Sequence, residues 1–138
     1  GGVFQAMARV IIPQGTCMVS TLLPGTLREL ERAFTALDDA PHVSSFLPKE
    51  ALLTAAANAG LAVVSATEET IVDYYSAAES LMRSIKSIGG GNKALSRRKG
   101  LMTPQQMTRL QQAYATWFAG REGLPATWRI LYMVLRKT

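Results

Sequence analysis

Three strand-like runs separated by helical periodicities constrain this chain more than any single residue does. Thr16 to Leu23 reads TCMVSTLL, a β-branched and apolar run without strict alternation, as a strand covered on both faces does. Leu61 to Val72 carries Val63, Val64, Thr67, Thr70, Ile71 and Val72, and Ala126 to Lys137 contains the long run WRILYMVLRK. Between them the apolar period changes. Leu27, Leu30, Phe34 and Leu37 recur at helical spacing, with Glu29, Glu31 and Arg32 set to face outward. Pro48 suits the first turn of a helix that runs to Ala59 and stops at Gly60.

Two further helices announce their own starts. Ser76-Ala77-Ala78-Glu79 and Thr103-Pro104-Gln105-Gln106 both have the spacing of a capping box, in which two side chains satisfy free N–H groups of a first turn. The first opens a helix with Leu81, Ile85 and Ile88 on one face, ended by Gly89-Gly90-Gly91-Asn92. The second carries Met107, Leu110, Tyr114 and Trp117 as a buried stripe. The predicted order is helix end, strand, helix, helix, strand, two helices, strand. That order is α/β, with a last strand placed to close the sheet antiparallel.

Phe4, Met7, Ala8 and Ile11 have helical spacing directly after Gly1-Gly2-Val3, with no initiator Met and no capping signal. The chain therefore reads as entering mid-element, as a truncated protein does. Its 138 residues and 48% apolar content suit one globular domain rather than a disordered segment. No apolar run approaches the roughly 18–20 residues that cross a bilayer, and no secretory signal pattern opens the chain. With a single cysteine there is no internal disulfide to demand an oxidising compartment, so a cytoplasmic protein is expected.

Charge is distributed unevenly. Nine of the ten acidic residues lie between Glu29 and Glu79; Glu122 is the tenth. From Ser80 to Arg121 there is no acid, while Arg83, Lys86, Lys93, Arg97, Arg98, Lys99, Arg109 and Arg121 supply eight positive charges. Such a stretch either attracts an acidic partner or is a solvated surface with incidental cations. It lacks the interleaved aromatics of a single-strand nucleic-acid binder, so neither nucleic acid nor membrane is the expected partner.

Chemistry-bearing motifs are sparse. One His and one Cys, without companions, make no metal site, and Cys17 sits in an apolar strand where a structural thiol is expected. Gly89-Gly90-Gly91 follows a helix rather than joining a strand to one, and no G-x-G-x-x-G occurs, so no phosphate or adenosyl cradle is recognisable. His42 lies in the loop before Phe46-Leu47-Pro48, where it either hydrogen-bonds a substrate carbonyl or braces the loop. Arg83 and Lys86, three apart on one helix face, either hold a carboxylate or phosphate or are simply solvated.

The segment RVIIPQGTCMVSTLLPGTLREL resembles the end of the fourth helix and the fifth strand of class I S-adenosylmethionine-dependent methyltransferases. FTALDDAPHVSSFLP and LMRSIKSIGGGNKALSRRKGLMTPQQMTRLQQAY are similar to the malonyl-[acyl-carrier protein] O-methyltransferases of biotin biosynthesis, the stretch from Met82 to Gly89 most specifically. WRILYMVLRK is placed like that family's last strand.

The resemblance implies that residues 1–138 are the C-terminal portion of one Rossmann-like methyltransferase domain. They would hold about three strands of the usual seven, the last antiparallel, with residues 73–120 forming a helical insertion between the final two. The parent enzyme would use S-adenosylmethionine to methylate the free carboxyl of malonyl on acyl carrier protein, masking a charge before elongation. No catalytic or cofactor residue carries over, because the glycine-rich cofactor half of the family is absent, and the fragment alone is expected to be inactive.

His42, Phe46, Arg83 and Lys86 are the implied substrate contacts. Lys93, Arg97, Arg98 and Lys99 are the implied docking residues for the acidic carrier protein. A half-sheet would leave an open edge and self-associate. Two competing expectations are a methyltransferase with another small-molecule acceptor and a non-catalytic module that binds an acidic protein.

Overall fold

A computed structural model describes residues 2–38, 42–43, 45–87 and 102–138. The elements run α1 (Gly2–Val10), β1 (Thr16–Leu22), α2 (Arg28–Phe34), α3 (Lys49–Asn58), β2 (Leu61–Tyr75), α4 (Ala78–Ser87), α5 (Pro104–Phe118) and β3 (Leu124–Lys137). This α/β succession matches the predicted order, and α4 and α5 are the elements between the last two strands. The sheet has the order β1-β3-β2, so the last strand of the chain is the central one. As expected, β3 is antiparallel to its neighbour β1, in a register from Thr16↔Arg136 to Leu22↔Ile130. Among the described residues no helix is long and apolar enough to cross a membrane.

The chain divides into two compact units. The first comprises residues 1–24, 46–70 and 129–138. Its core joins Phe4 of α1 and Leu52 and Ala56 of α3 to Leu23, Leu61, Leu131, Met133 and Leu135, with Cys17, Val19 and Val63 packed against it. Period-two geometry explains the choice: the pairs Cys17↔Leu135, Val19↔Met133 and Thr21↔Leu131 face the helices. The alternate pairs Met18↔Val134 and Ser20↔Tyr132 face away from that core.

Burial along β1 alternates accordingly, and Met18 is 82% exposed. This corrects the expectation of a strand covered on both faces. Met18 makes the run look uniformly apolar, yet within the described residues the helical cover lies over one face only. The turn before β1 is closed by Gln14 N–H donating to the Lys137 carbonyl (2.9 Å) and Lys137 N–H donating to that of Gly15 (3.0 Å).

The second unit comprises residues 25–45 and 71–128. Here α5 packs against both α2 and α4. Leu30 and Phe34 from α2, Leu81 and Ile85 from α4, and Leu110 and Tyr114 from α5 are buried. Each such side chain contributes about 1.5–3 kcal/mol relative to exposure. The α5 start is the predicted capping box: Thr103 Oγ1 accepts from Gln106 N–H (3.1 Å) and Gln106 Oε1 accepts from Thr103 N–H (3.0 Å), with Pro104 in the first turn.

The α4 start is capped differently from the expectation. Ala78 N–H donates to Gln111 Oε1 of α5 at 2.6 Å, and Ala77 N–H to Ser80 Oγ at 3.1 Å. Glu79 instead pairs with Arg83 one turn on. A tertiary partner within reach has replaced the local box. The Gly89–Asn92 terminator and Ile88 lie outside the described residues.

Trp117 departs from the predicted stripe. It is 45% exposed, while Leu110 and Tyr114 are fully buried and Phe118 meets the Tyr114 ring edge-on at 5.8 Å. Leu110, Tyr114 and Phe118 are spaced at i+4, which keeps them in line. Trp117 falls about 60° off that line and turns toward α2.

Gly123, just before β3, has φ +115°, and a Cβ there would stand 2.7 Å from the Tyr75 carbonyl oxygen. Both the dihedral and the backbone contact exclude a side chain. Gly123→Ala is expected to destabilise the chain by on the order of 1–3 kcal/mol. Urea unfolding of the two forms, compared at equal m-value, measures it.

Candidate functional site

The second unit builds its functional surface from the start of α2. The chain leaves β1 through Leu23, Pro24 and Gly25 and reaches Leu27 in the left-handed region, φ 57° and ψ 30°. A leucine there is strained by roughly 1–2 kcal/mol. What holds it is Thr127 at the beginning of β3. Leu27 N–H donates to the Thr127 carbonyl (2.7 Å), while Thr127 N–H donates to Glu29 Oε1 (3.0 Å) and Thr127 Oγ1–H to Glu29 Oε2 (2.5 Å).

All the hydrogen-bonding groups of one threonine therefore engage the first turn of α2, and Leu27 is fully buried. Glu29, expected to face solvent, is 6% exposed. The helical wheel explains this correction: Glu29 shares the inner face with Ala33, one turn later, and the donors of Thr127 compensate its desolvation.

Past α2 the backbone tightens into short turns and the loop carries His42. Its ring stacks on Phe34 with centroids 4.2 Å apart and planes 12° from parallel. His42 Nε2 lies 2.7 Å from Asp38 Oδ1, and the residue is only 9% exposed. The imidazole is thus committed to a carboxylate on one side and an aromatic face on the other. This is the arrangement of a loop-bracing histidine.

The other nominated residues are placed separately. Arg83 is exposed on α4, with Nη2 3.0 Å from Glu79 Oε1. Lys86 follows on the same helix, and its side chain lies outside the described residues, as do Lys93, Arg97, Arg98 and Lys99. Phe46 is half-buried and falls in the first unit. His42 and Arg83, which share a unit, each engage a carboxylate four residues earlier rather than each other.

Sequence reasoning missed two elements of this surface. One is the Leu27–Glu29–Thr127 clamp, whose members are too far apart in the chain for any local pattern. The other is Arg32, whose guanidinium sits 5.4 Å above the Trp117 ring. Trp117 also lines a shallow groove with Ala36, Arg109, Gln112, Ala113 and Thr116. The exposed side of an otherwise acid-free helix is the one signal that pointed there.

Tyr114 closes the unit from beneath. Its hydroxyl donates to the Pro125 carbonyl (2.5 Å). Burial, reinforced by the nearby charge of Glu29, pushes its phenol well above the usual tyrosine range. Near the surface, the negative charge of Glu122 likewise raises Tyr74.

An adenosyl group or phosphate is ordinarily held where a strand passes through a glycine-rich loop into a helix whose first N–H groups are free. The described residues contain two strand-to-helix junctions, and neither is glycine-rich: residues 23–27 hold one glycine and residues 76–77 none. At β1–α2 the Leu27 N–H is taken by Thr127 and a carboxylate fills the first turn. At β2–α4 the Ala77 and Ala78 N–H groups are taken by Ser80 and Gln111. The residues present do not fit an adenosyl group at either junction.

Comparison with curated proteins agrees with the fold. The chain is 40% identical over 134 residues to the biotin biosynthesis bifunctional protein BioHC of Teredinibacter turnerae, covering 97% of this chain and 24% of that protein. It is 37% identical over 125 residues to the malonyl-[acyl-carrier protein] O-methyltransferase of Laribacter hongkongensis, covering 90% and 41%. It is 33% identical over 127 residues to that of Hahella chejuensis, covering 92% and 45%. The chain is a homologue of malonyl-[acyl-carrier protein] O-methyltransferases. It spans less than half the length of each of these three relatives. No family model matches it.

Two outcomes test the clamp and its support. Glu29→Ala leaves the Thr127 donors unpaired and is expected to cost about 1–3 kcal/mol, with Glu29→Gln milder because one acceptor remains; thermal unfolding ranks the three forms. For Tyr114, the folded state holds a proton that the unfolded chain releases near pH 10.0. Its contribution to stability is therefore complete below that pH and declines as pH rises above it. Tyr114→Phe should lose about 1 kcal/mol at neutral pH through its hydrogen bond but show a shallower alkaline decline, measured by melting between about pH 9 and 11 (roughly one unit either side of the ordinary tyrosine pKa).

Proposed function

We propose that this chain is the substrate-side, C-terminal half of an S-adenosylmethionine-dependent carboxyl O-methyltransferase that acts on malonyl-acyl carrier protein in biotin synthesis, in the cytoplasm. The observation that carries this reading is similarity over 90% or more of the chain to proteins bearing that activity in their names, together with similarity to a protein named for biotin biosynthesis. The sheet, in which the last strand lies antiparallel to β1 with two helices intervening before it, supports the same assignment.

Methyl transfer to a carboxylate asks little of acid–base chemistry. The nucleophile is already ionised at neutral pH, so catalysis rests on alignment and exclusion of water. This suits a chain whose chemistry-bearing side chains are cations and hydrogen-bonders rather than nucleophiles. S-adenosylmethionine would supply the methyl group, bound by residues of the parent protein outside those described.

Within the reading, Arg83 and Lys86 hold the malonyl carboxylate or the phosphate of the carrier's prosthetic arm. Support for Arg83 is its exposure on α4 with only a surface carboxylate as partner, which an incoming anion can replace. Phe46 and His42 are each taken as acceptor contacts, and His42 is held in its loop by Asp38 and Phe34. Lys93, Arg97, Arg98 and Lys99 steer the carrier. The free edge of β1, which has a single sheet neighbour, leads the isolated chain to self-associate.

The full-length protein, given S-adenosylmethionine and malonyl-acyl carrier protein, should produce the carrier-bound methyl ester, a gain of one methyl by intact mass, and should restore growth of a biotin-requiring strain. Methylation of a different small molecule with no ester on the carrier would reject the acceptor assignment. Arg83→Ala should raise KM for the malonyl substrate about tenfold or more, in line with loss of one charge-assisted hydrogen bond. A monodisperse monomer of the isolated chain by sedimentation would contradict the edge-association assignment.

A further inference from the structure

Four basic side chains in the described structure are paired with carboxylates, and several others are not. Lys49 and Arg129 both reach Glu68, Arg83 reaches Glu79, and His42 reaches Asp38. Arg109 lines the groove and Arg32 sits over its Trp117 within the same compact unit, and neither has a carboxylate partner among the described residues. The acids nearest in sequence are turned elsewhere. Glu29 points inward to Thr127, and Glu31 lies about 100° around α2 from Arg32. The whole of α5 carries no acid.

We propose that this groove between α2 and α5 is a docking site for an acidic protein surface, with Arg32, Arg109 and Trp117 as its anchors. Under the function proposed above, on which this identification of the partner rests, that surface belongs to the acyl carrier protein. Arg32 sits over the indole, with its guanidinium carbon 5.4 Å from the ring centroid, a contact that restricts the side chain before a carboxylate arrives. Trp117 offers a large, half-exposed ring at the centre, and Arg with Trp are the residue types that dominate binding energy at protein interfaces.

Ala36 and Ala113 keep the floor low enough for a helix to approach, and Gln112 and Thr116 add neutral hydrogen-bonding groups at the rim. A nucleic-acid partner would call for several aromatic platforms along a basic track, whereas this groove contains one.

The test uses the full-length protein and unmodified acyl carrier protein, with affinity measured by titration calorimetry at low and physiological salt. Arg32→Glu with Arg109→Glu should weaken binding at least tenfold at low salt, with a gap that narrows as salt rises. Trp117→Ala should weaken it several-fold with little salt dependence, and Arg9→Glu, an exposed cation on α1, should leave it unchanged.

Methylation of a small malonyl thioester lacking any protein carrier should be the same in the double variant as in the parent. Unchanged carrier affinity in a double variant that melts like the parent would overturn the docking site. Equal loss on the small thioester and the carrier substrate would overturn it too, as would binding of a DNA duplex in place of the carrier. If the parent methylates neither substrate, the proposed reaction fails, and the calorimetric comparison still decides the docking site by itself.

Discussion

Thr127 and the first turn of α2 hold each other across most of the length of the chain. The threonine donates its N–H and hydroxyl to the Glu29 carboxylate and accepts the N–H of Leu27, whose left-handed backbone is strained without that partner. A carboxylate taken out of water is costly, and two donors aimed at its two oxygens offset the loss. Because α2 begins at this clamp and packs on α5, the clamp also sets where Arg32 stands relative to Trp117 and where the His42 loop departs. Tyr114, buried below and hydrogen-bonded to Pro125, anchors α5 to the same end of β3.

The distribution of charge gains meaning from this frame. Side chains that look equivalent in a list of cations have different fates: among the described residues Lys49, Arg83 and Arg129 meet carboxylates, while Arg109 lines a groove and Arg32 sits over its Trp117 without one. The inward turn of Glu29 is part of the reason. It removes the acid that would otherwise sit beside Arg32 and leaves the α2–α5 surface positive. A structural hydrogen bond in the core thereby shapes the electrostatics of the surface.

The same local satisfaction limits what the described residues do chemically. Neither strand-to-helix junction has the glycine-rich loop that cradles an adenosyl or phosphate group, and the Leu27, Ala77 and Ala78 N–H groups are engaged by protein atoms. The chain aligns with less than half of each of the three relatives compared. A division of labour follows for the proposed enzyme, in which these residues receive the acceptor and its carrier.

Element order, the capping box at Thr103, the apolar faces of α4 and α5 and the antiparallel last strand were all legible in the sequence. Each depends on period, propensity or a cap within a few residues, which are local properties. The tertiary structure decided what local patterns leave open. Glu29 turned inward because Thr127 supplies donors from the far end of the chain, and Trp117 turned outward because Phe118 completes the buried stripe. His42 took Asp38 and Phe34 as partners. Ala78 found Gln111 instead of the predicted box, and Met18 faced away from the core because the helices of its unit cover one side of the sheet. For Glu29 and Ala78 the deciding atom lay far away in the chain, and in the other cases packing chose among neighbours that the local pattern left equivalent.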